Sequence, residues 1–186
     1  MKKEDQRSRL TKLLIENAFI DLLQTKNLSS ISVKEVCDKA MINRSTFYSY
    51  YLDIFDLYNS IKEMIKNVIK NKLESYGKFD KNFNLYEEIL SFFVDYKDVV
   101  KIFLAYQVDS SFITEMMVLA EDKVFEIYKE KYPLINEKKF RDYFTFTSNG
   151  CLGIITKWVK NGMKEDSKEI AKIMEAISLY GIKYLY

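Results

Sequence analysis

Apolar residues return at helical spacing in one segment of this chain after another. Leu10, Leu14, Ala18 and Leu22 follow a four-residue step, which predicts a first helix whose face covers the segment behind it. Residues 25–30 (TKNLSS) close that helix and lead to Ile31. Val33, Val36, Cys37 and Ala40 then fall on one side of a second, shorter helix. Ser32 is a good N-cap for it, and Glu35 follows three residues later, the spacing of a capping box. Met41, Ile42 and Asn43 break the pattern. Asn43 can cap a third helix over about residues 44–50, because its side-chain oxygen can accept from an orphan backbone N–H. Phe47 and Tyr51, four apart, give that helix an inward face. Asp53 reads as the cap of a long fourth helix over residues 54–75, with Leu57, Ile61, Met64 or Ile65, Val68, Ile69 and Leu73 as its stripe. Lys62, Lys66 and Lys70 form a basic line on it, read first as a solvated face.

Gly77 and the polar residues 78–84 form a hinge between two parts. From Tyr86 onward aromatics crowd the chain, among them Phe92, Phe93, Phe103, Tyr128, Tyr143 and Phe146. Helices are predicted over residues 85–96, 98–107, 111–131, 137–161 and 167–184, and Pro133 supports an end just before it. The aromatics read first as a core. Tyr106, Met116, Met117 and Phe144 can also make an adaptable lining for a small-molecule pocket.

Composition agrees with an almost wholly helical chain: among 186 residues there are one Pro and five Gly, so breakers are scarce. Hydrophobic content of 48% with 30% charged residues places it among globular chains long enough to bury a core. The net charge of +2 decides nothing by itself, but its small excess lies in residues 1–75, as suits a part that meets DNA. There is no His, which removes His-based triads, His general bases and His metal ligands. No Gly-rich loop precedes a helix, so neither nucleotide-binding fingerprint is present. Neither Asp95 with Asp98 nor Glu87 with Glu88 makes a convincing catalytic pair. Cys37 and Cys151 form no metal-ligand set and no disulfide framework; both read as buried small hydrophobes in a reducing cytoplasm. No signal peptide is visible, and no apolar run is long enough to span a membrane.

The candidate chemistry lies on the third helix. Arg44, Ser45, Thr46, Tyr48, Ser49 and Tyr50 point outward or sideways. Arg bonds phosphate or guanine bidentately, hydroxyls donate to phosphate or read a base edge, and Tyr does either while packing on sugar. The same spacing also suits a small amphipathic helix pair with a solvated face. Ile31-Ser32-Val33-Lys34-Glu35-Val36, Ala40 and Arg44-Ser45-Thr46-Phe47-Tyr48 resemble the signature of the TetR family of bacterial transcriptional regulators. Residues 11–23 (TKLLIENAFIDLL) are similar to that family's first helix, and residues 52–58 (LDIFDLY) to the start of its fourth. The resemblance spans roughly residues 8–60. It has two departures. Met41 stands where the family usually has Gly, so the turn must hold a side-chain-bearing residue in or near the left-handed region. Ile54 stands where the family often has a phosphate-contacting Lys.

Residues 150–163 (GCLGIITKWVKNGM) resemble the C-terminal region of a subgroup of the same family, whose last two helices meet those of a second subunit in a four-helix bundle. Gly150 and Gly153 allow close helix approach, and Ile154 and Trp158, one turn apart, can anchor a patch. Ile173 and Ile177 belong to a matching stripe on the last helix, and Gly162 suits a helix end needing positive φ. The same residues would also serve to close the core of a single chain.

The resemblance therefore implies an all-α homodimer of about nine helices, with a helix-turn-helix head over residues 1–52 and a helical body over 53–186. It implies a sequence-specific DNA-binding regulator, more often a repressor, controlled by a small-molecule effector bound in the body. Phosphate contacts are expected from Ser32, Lys34, Thr46, Tyr48 and Tyr50, with Arg7 and Arg9 nearby at the start of the first helix. Base contacts are expected from Arg44, Ser45 and Ser49 on a roughly palindromic double-stranded operator. No catalytic residue, metal, cofactor or membrane is expected, and the place of action is the cytoplasm. A second reading, of another class, is a helix-turn-helix adaptor whose body binds another protein.

Overall fold

The computed structural model describes residues 3–75, 84–104 and 110–182. Among the described residues there are nine α-helices, one short 3-10 turn and no strand. They divide between two compact units, Met1–Asn67 and Val68–Tyr186. The division falls inside the fourth helix, later than the expected boundary at residues 52 and 53, because the first part of that helix carries core residues of the first unit.

The first unit contains α1 (Lys3–Leu23), a 3-10 turn (Leu28–Ser30), α2 (Val33–Ala40), α3 (Arg44–Tyr48) and the opening of α4 (Ile54–Ser75). Its interior is made by Ile15, Phe19, Val36, Phe47, Leu57 and Ile61, all essentially without exposure. The caps form as the sequence predicts. Ser32 Oγ accepts from the Glu35 N–H at 3.3 Å, while Glu35 Oε2 accepts from the Ser32 N–H at 2.9 Å. Asp53 Oδ1 accepts from the Asp56 N–H at 2.8 Å and starts α4. At the end of α2, Met41 takes φ 54° and ψ 43°, so the left-handed turn is made without glycine. The Met41 and Ile42 N–H groups return to the carbonyls of Asp38 and Cys37, the paired bonds of a Schellman end.

The face expected for α1 is in part wrong. Leu10 and Leu14 are exposed at 59% and 44%, and the buried line runs through Ile15, Ala18, Phe19 and Leu23. A four-residue step overshoots a full turn by about 40°, so a line that is buried at Ala18 has left the core by Leu10. Leu13, Leu14 and Ile15 are all apolar, so the sequence did not fix the phase.

The second unit holds the end of α4 with α5 (Leu85–Asp95), α6 (Lys97–Leu104), α7 (Ser110–Lys131), α8 (Glu137–Lys160) and α9 (Ser167–Ile182). α9 packs on α5, and α8 takes α6, α7 and α9 against it. Leu90, Ile102, Phe140, Ala171 and Met174 are its most deeply buried residues. Asn84 and Asn136 cap α5 and α8, each accepting a backbone N–H from the first turn. Gly162, at φ 83°, ends α8 with the same paired bonds as α2: its N–H reaches Val159 O at 3.0 Å and the Met163 N–H reaches Trp158 O at 2.9 Å. Gly181 lies flat on Tyr143, where a Cβ would meet the ring at 2.9 Å. Helix ends agree with the sequence reading within a few residues. The expected hinge at Gly77 and residues 78–83 lies outside the described residues, as do the expected ends of α6 and α9.

Candidate nucleic-acid interface

Two short helices joined by a tight turn place the candidate residues. Phe47 is fully buried and Tyr51 is 4% exposed, so α3 is pinned by its inner side. Their rings lie 5.8 Å apart. That leaves Arg44, Ser45, Tyr48 and Ser49 exposed, with Thr46 and Tyr50 half-buried. On α2 and its cap, Lys34 and Ser32 are also exposed. Arg44 forms no ion pair among the described residues.

Local hydrogen bonds hold this surface in shape. Asn43 Oδ1 accepts from the Thr46 N–H at 2.7 Å, from Thr46 Oγ1 at 2.8 Å and from Ser45 Oγ at 2.7 Å. Ser49 Oγ donates to Thr46 O at 2.6 Å. Glu35 is fixed by the Lys26 ammonium and by Ser32, which together hold its carboxyl down to about 2. Lys26 was not singled out from the sequence; it lies nine residues from Glu35 and its role depends on the fold.

Tyr50 is turned toward α1, where its hydroxyl donates to Ser8 Oγ at 3.1 Å. Tyr51 donates to Glu16 Oε1 at 2.9 Å, and burial next to that carboxylate pushes the Tyr51 phenol up. Ser8 and Glu16 were also missed. Glu16 carried a signal: it stands between Ile15 and Ala18 on the buried line, where a carboxylate needs a donor.

In the second unit, Met116 is buried and Met117 and Phe144 are half-buried; Tyr106 lies outside the described residues. Phe144 packs with Phe140 and Tyr143 around Val124, about two turns along α7 from Met117. Beside that cluster three phenols converge that the sequence reading did not group. Tyr128 Oη is 3.3 Å from Tyr143 Oη, and Tyr143 donates to Ser178 O at 3.1 Å. Tyr86 hydrogen-bonds into the same group, and burial pushes all three phenols up.

The residues expected at a subunit interface separate into two sets. Gly150 and Gly153 are exposed with open space around them, Ile173 and Ile177 are exposed at 49% and 55%, and Ile154 is half-buried. Phe146 and Tyr180, at 77% and 82%, lie in register with them on α8 and α9. Trp158 does not belong to this face. It is 3% exposed, and its indole N–H donates to Glu165 O at 3.0 Å, so it anchors the chain's own core.

The family model of the TetR-type transcriptional regulator C-terminal region matches residues 80–179, more than half of the chain. The chain belongs to the TetR family of transcriptional regulators. No curated protein matches the sequence. Among solved structures, the fatty acid degradation regulator FadR from Bacillus halodurans is similar with TM-score 0.71 and 13% identity over 91% of this chain and 94% of that one. The dihydroxyacetone kinase operon activator DhaS is similar with TM-score 0.62 and 20% identity over 94% and 97%. A TetR transcriptional regulator from Streptococcus agalactiae gives TM-score 0.56 and 24% identity over 94% and 97%.

At these identities the solved structures speak for the fold, and the family match speaks for the class. This TetR-family chain is a transcriptional regulator, not an enzyme. Among the described residues no group of His, Cys, Asp and Glu could hold a metal ion, and no helix is long and apolar enough to cross a membrane.

Proposed function

We propose that the chain is a homodimeric, sequence-specific DNA-binding repressor whose operator affinity is set by a small ligand held in the second unit. The observation that carries this is α3 itself. It is locked from below by Phe47 and Tyr51, yet it offers Arg44, Ser45, Tyr48 and Ser49 to solvent, and among the described residues no carboxylate engages Arg44. An unpaired guanidinium beside hydroxyls on a rigid helix is the chemistry of groove reading. In this reading α2, the turn at Met41 and α3 act as a helix-turn-helix. Arg44, Ser45 and Ser49 meet base edges, and Ser32, Lys34, Thr46 and Tyr48 meet phosphates. The Tyr50 side chain is turned back toward Ser8 of α1 and serves the head rather than the DNA.

The exposed line of Phe146, Gly150 and Gly153 on α8, with Ile173, Ile177 and Tyr180 on α9, supports pairing with a second copy. Two copies would then set two α3 helices in successive major grooves, roughly 34 Å apart. α4 opens in the first unit and closes in the second, where Lys72 pairs with Glu88 of α5 at 3.4 Å. A ligand in the second unit acts through that helix only by binding one head spacing better than the other.

A gel shift with the DNA upstream of the chain's own gene tests the reading. A clear preference over random duplex at about 0.15 M salt is expected. Equal binding to both would favour the adaptor reading instead. Activation is a second reading of the same DNA contacts, favoured by the neighbour DhaS, which is an operon activator. A promoter fusion read with and without the chain decides the sign.

A further inference from the structure

We propose that Tyr50 and Tyr51 are positioning residues, a two-point brace that fixes the angle of α3 against α1 and so sets sequence discrimination on DNA. The inference rests on the DNA-binding reading above. The two tyrosines follow α3 directly, in the turn after Tyr48, and their hydroxyls reach different points of α1. Tyr50 Oη donates to Ser8 Oγ at 3.1 Å, and Tyr51 Oη donates to Glu16 Oε1 at 2.9 Å. Those two points are eight residues apart, or about 12 Å along the helix axis. One tether would leave α3 able to pivot; two fix its direction.

The Tyr51 tether is the harder to release. Tyr51 is 4% exposed and Glu16 7% exposed, so breaking their bond takes from a largely buried carboxylate its hydrogen-bond donor. Lys12 Nζ lies 3.8 Å from the same carboxylate oxygen, on the preceding turn of α1. One buried hydroxyl therefore joins α1 to the turn that follows α3, within the first unit. Packing of Phe47 on Tyr51 is not directional and fixes depth rather than angle. The polar tethers supply the angle.

Base reading needs side chains held to a fraction of an ångström, whereas attraction to phosphates does not depend on sequence. Loosening the brace should therefore lower discrimination and spare general affinity. The test uses the full chain, the upstream duplex it prefers and a random duplex of equal length, read by fluorescence anisotropy. Tyr51→Phe keeps the buried ring and removes the hydroxyl. The affinity ratio between the two duplexes is expected to fall about ten-fold, with random-duplex binding unchanged within about two-fold. Removing both partners in Glu16→Met/Tyr51→Phe takes away the buried carboxylate that has lost its donor, so the melting temperature recovers while the ratio stays low. The brace is overturned if Tyr51→Phe keeps the ratio, or if the double variant regains melting temperature and ratio together. A wild-type chain with no preference between the duplexes overturns the DNA-binding reading and the brace with it.

Discussion

Single residues carry opposite demands in this head, since some must be locked for others to be presented. Arg44 is presented. Arg44→Ala is expected to reduce discrimination between the preferred and random duplexes by about 1–3 kcal/mol. An equal loss on both duplexes in a titration would make Arg44 a phosphate contact instead. Met41 is locked in a conformation that suits glycine, at φ 54° and 92% exposed. Met41→Gly should therefore raise stability by about 1 kcal/mol, because it relieves left-handed strain and gives up no burial. Thermal unfolding that shows a lower midpoint would contradict this. Glu35 adds a pH dependence. Its carboxyl is held down to about 2 from an ordinary 4.5 by Lys26 and Ser32, so the folded state binds that proton less readily than the unfolded one. Its stabilisation is fully present above pH 4.5 and is lost as pH falls toward 2. Urea unfolding of Glu35→Gln should show a flatter acid limb than wild type across that window.

At the scale of helices, what could be read in advance was what is local. Ser32, Asn43 and Asp53 are found as caps because capping joins residues three apart in the chain, and Gly162 because a left-handed end has few occupants. The outward set of α3 follows from the inward pair Phe47 and Tyr51. What could not be read depended on partners distant in sequence. The phase of α1 is fixed by the helices it packs on, which Leu10, Leu13, Leu14 and Ile15 do not reveal. The tethers from Tyr50 to Ser8 and from Tyr51 to Glu16 cross 42 and 35 residues. Trp158 shows the same limit, because a stripe that packs inside its own chain has the spacing of one that packs on a second copy. Trp158 is buried and Ile177 exposed in the single chain, and two variants should respond differently. Trp158→Ala should destabilise the second unit by about 3–5 kcal/mol, since it empties a buried site. Ile177→Glu should leave the helix content of the single chain unchanged and, for the proposed dimer, shift sedimentation to the monomer. Intact dimers in Ile177→Glu would remove the outer face of α8 and α9 as the interface.

At the scale of the whole molecule, a TetR-family chain carries an α3 pinned on its inner side and exposed on its outer one. The proposal is that two such helices read one duplex. Hydroxyl-radical footprinting of the DNA upstream of the chain's own gene tests this most directly. Two protected patches are predicted, related by two-fold symmetry and centred about 10 base pairs apart, both lost in Arg44→Ala. A single patch, uniform protection along the duplex, or patches indifferent to Arg44 would contradict it.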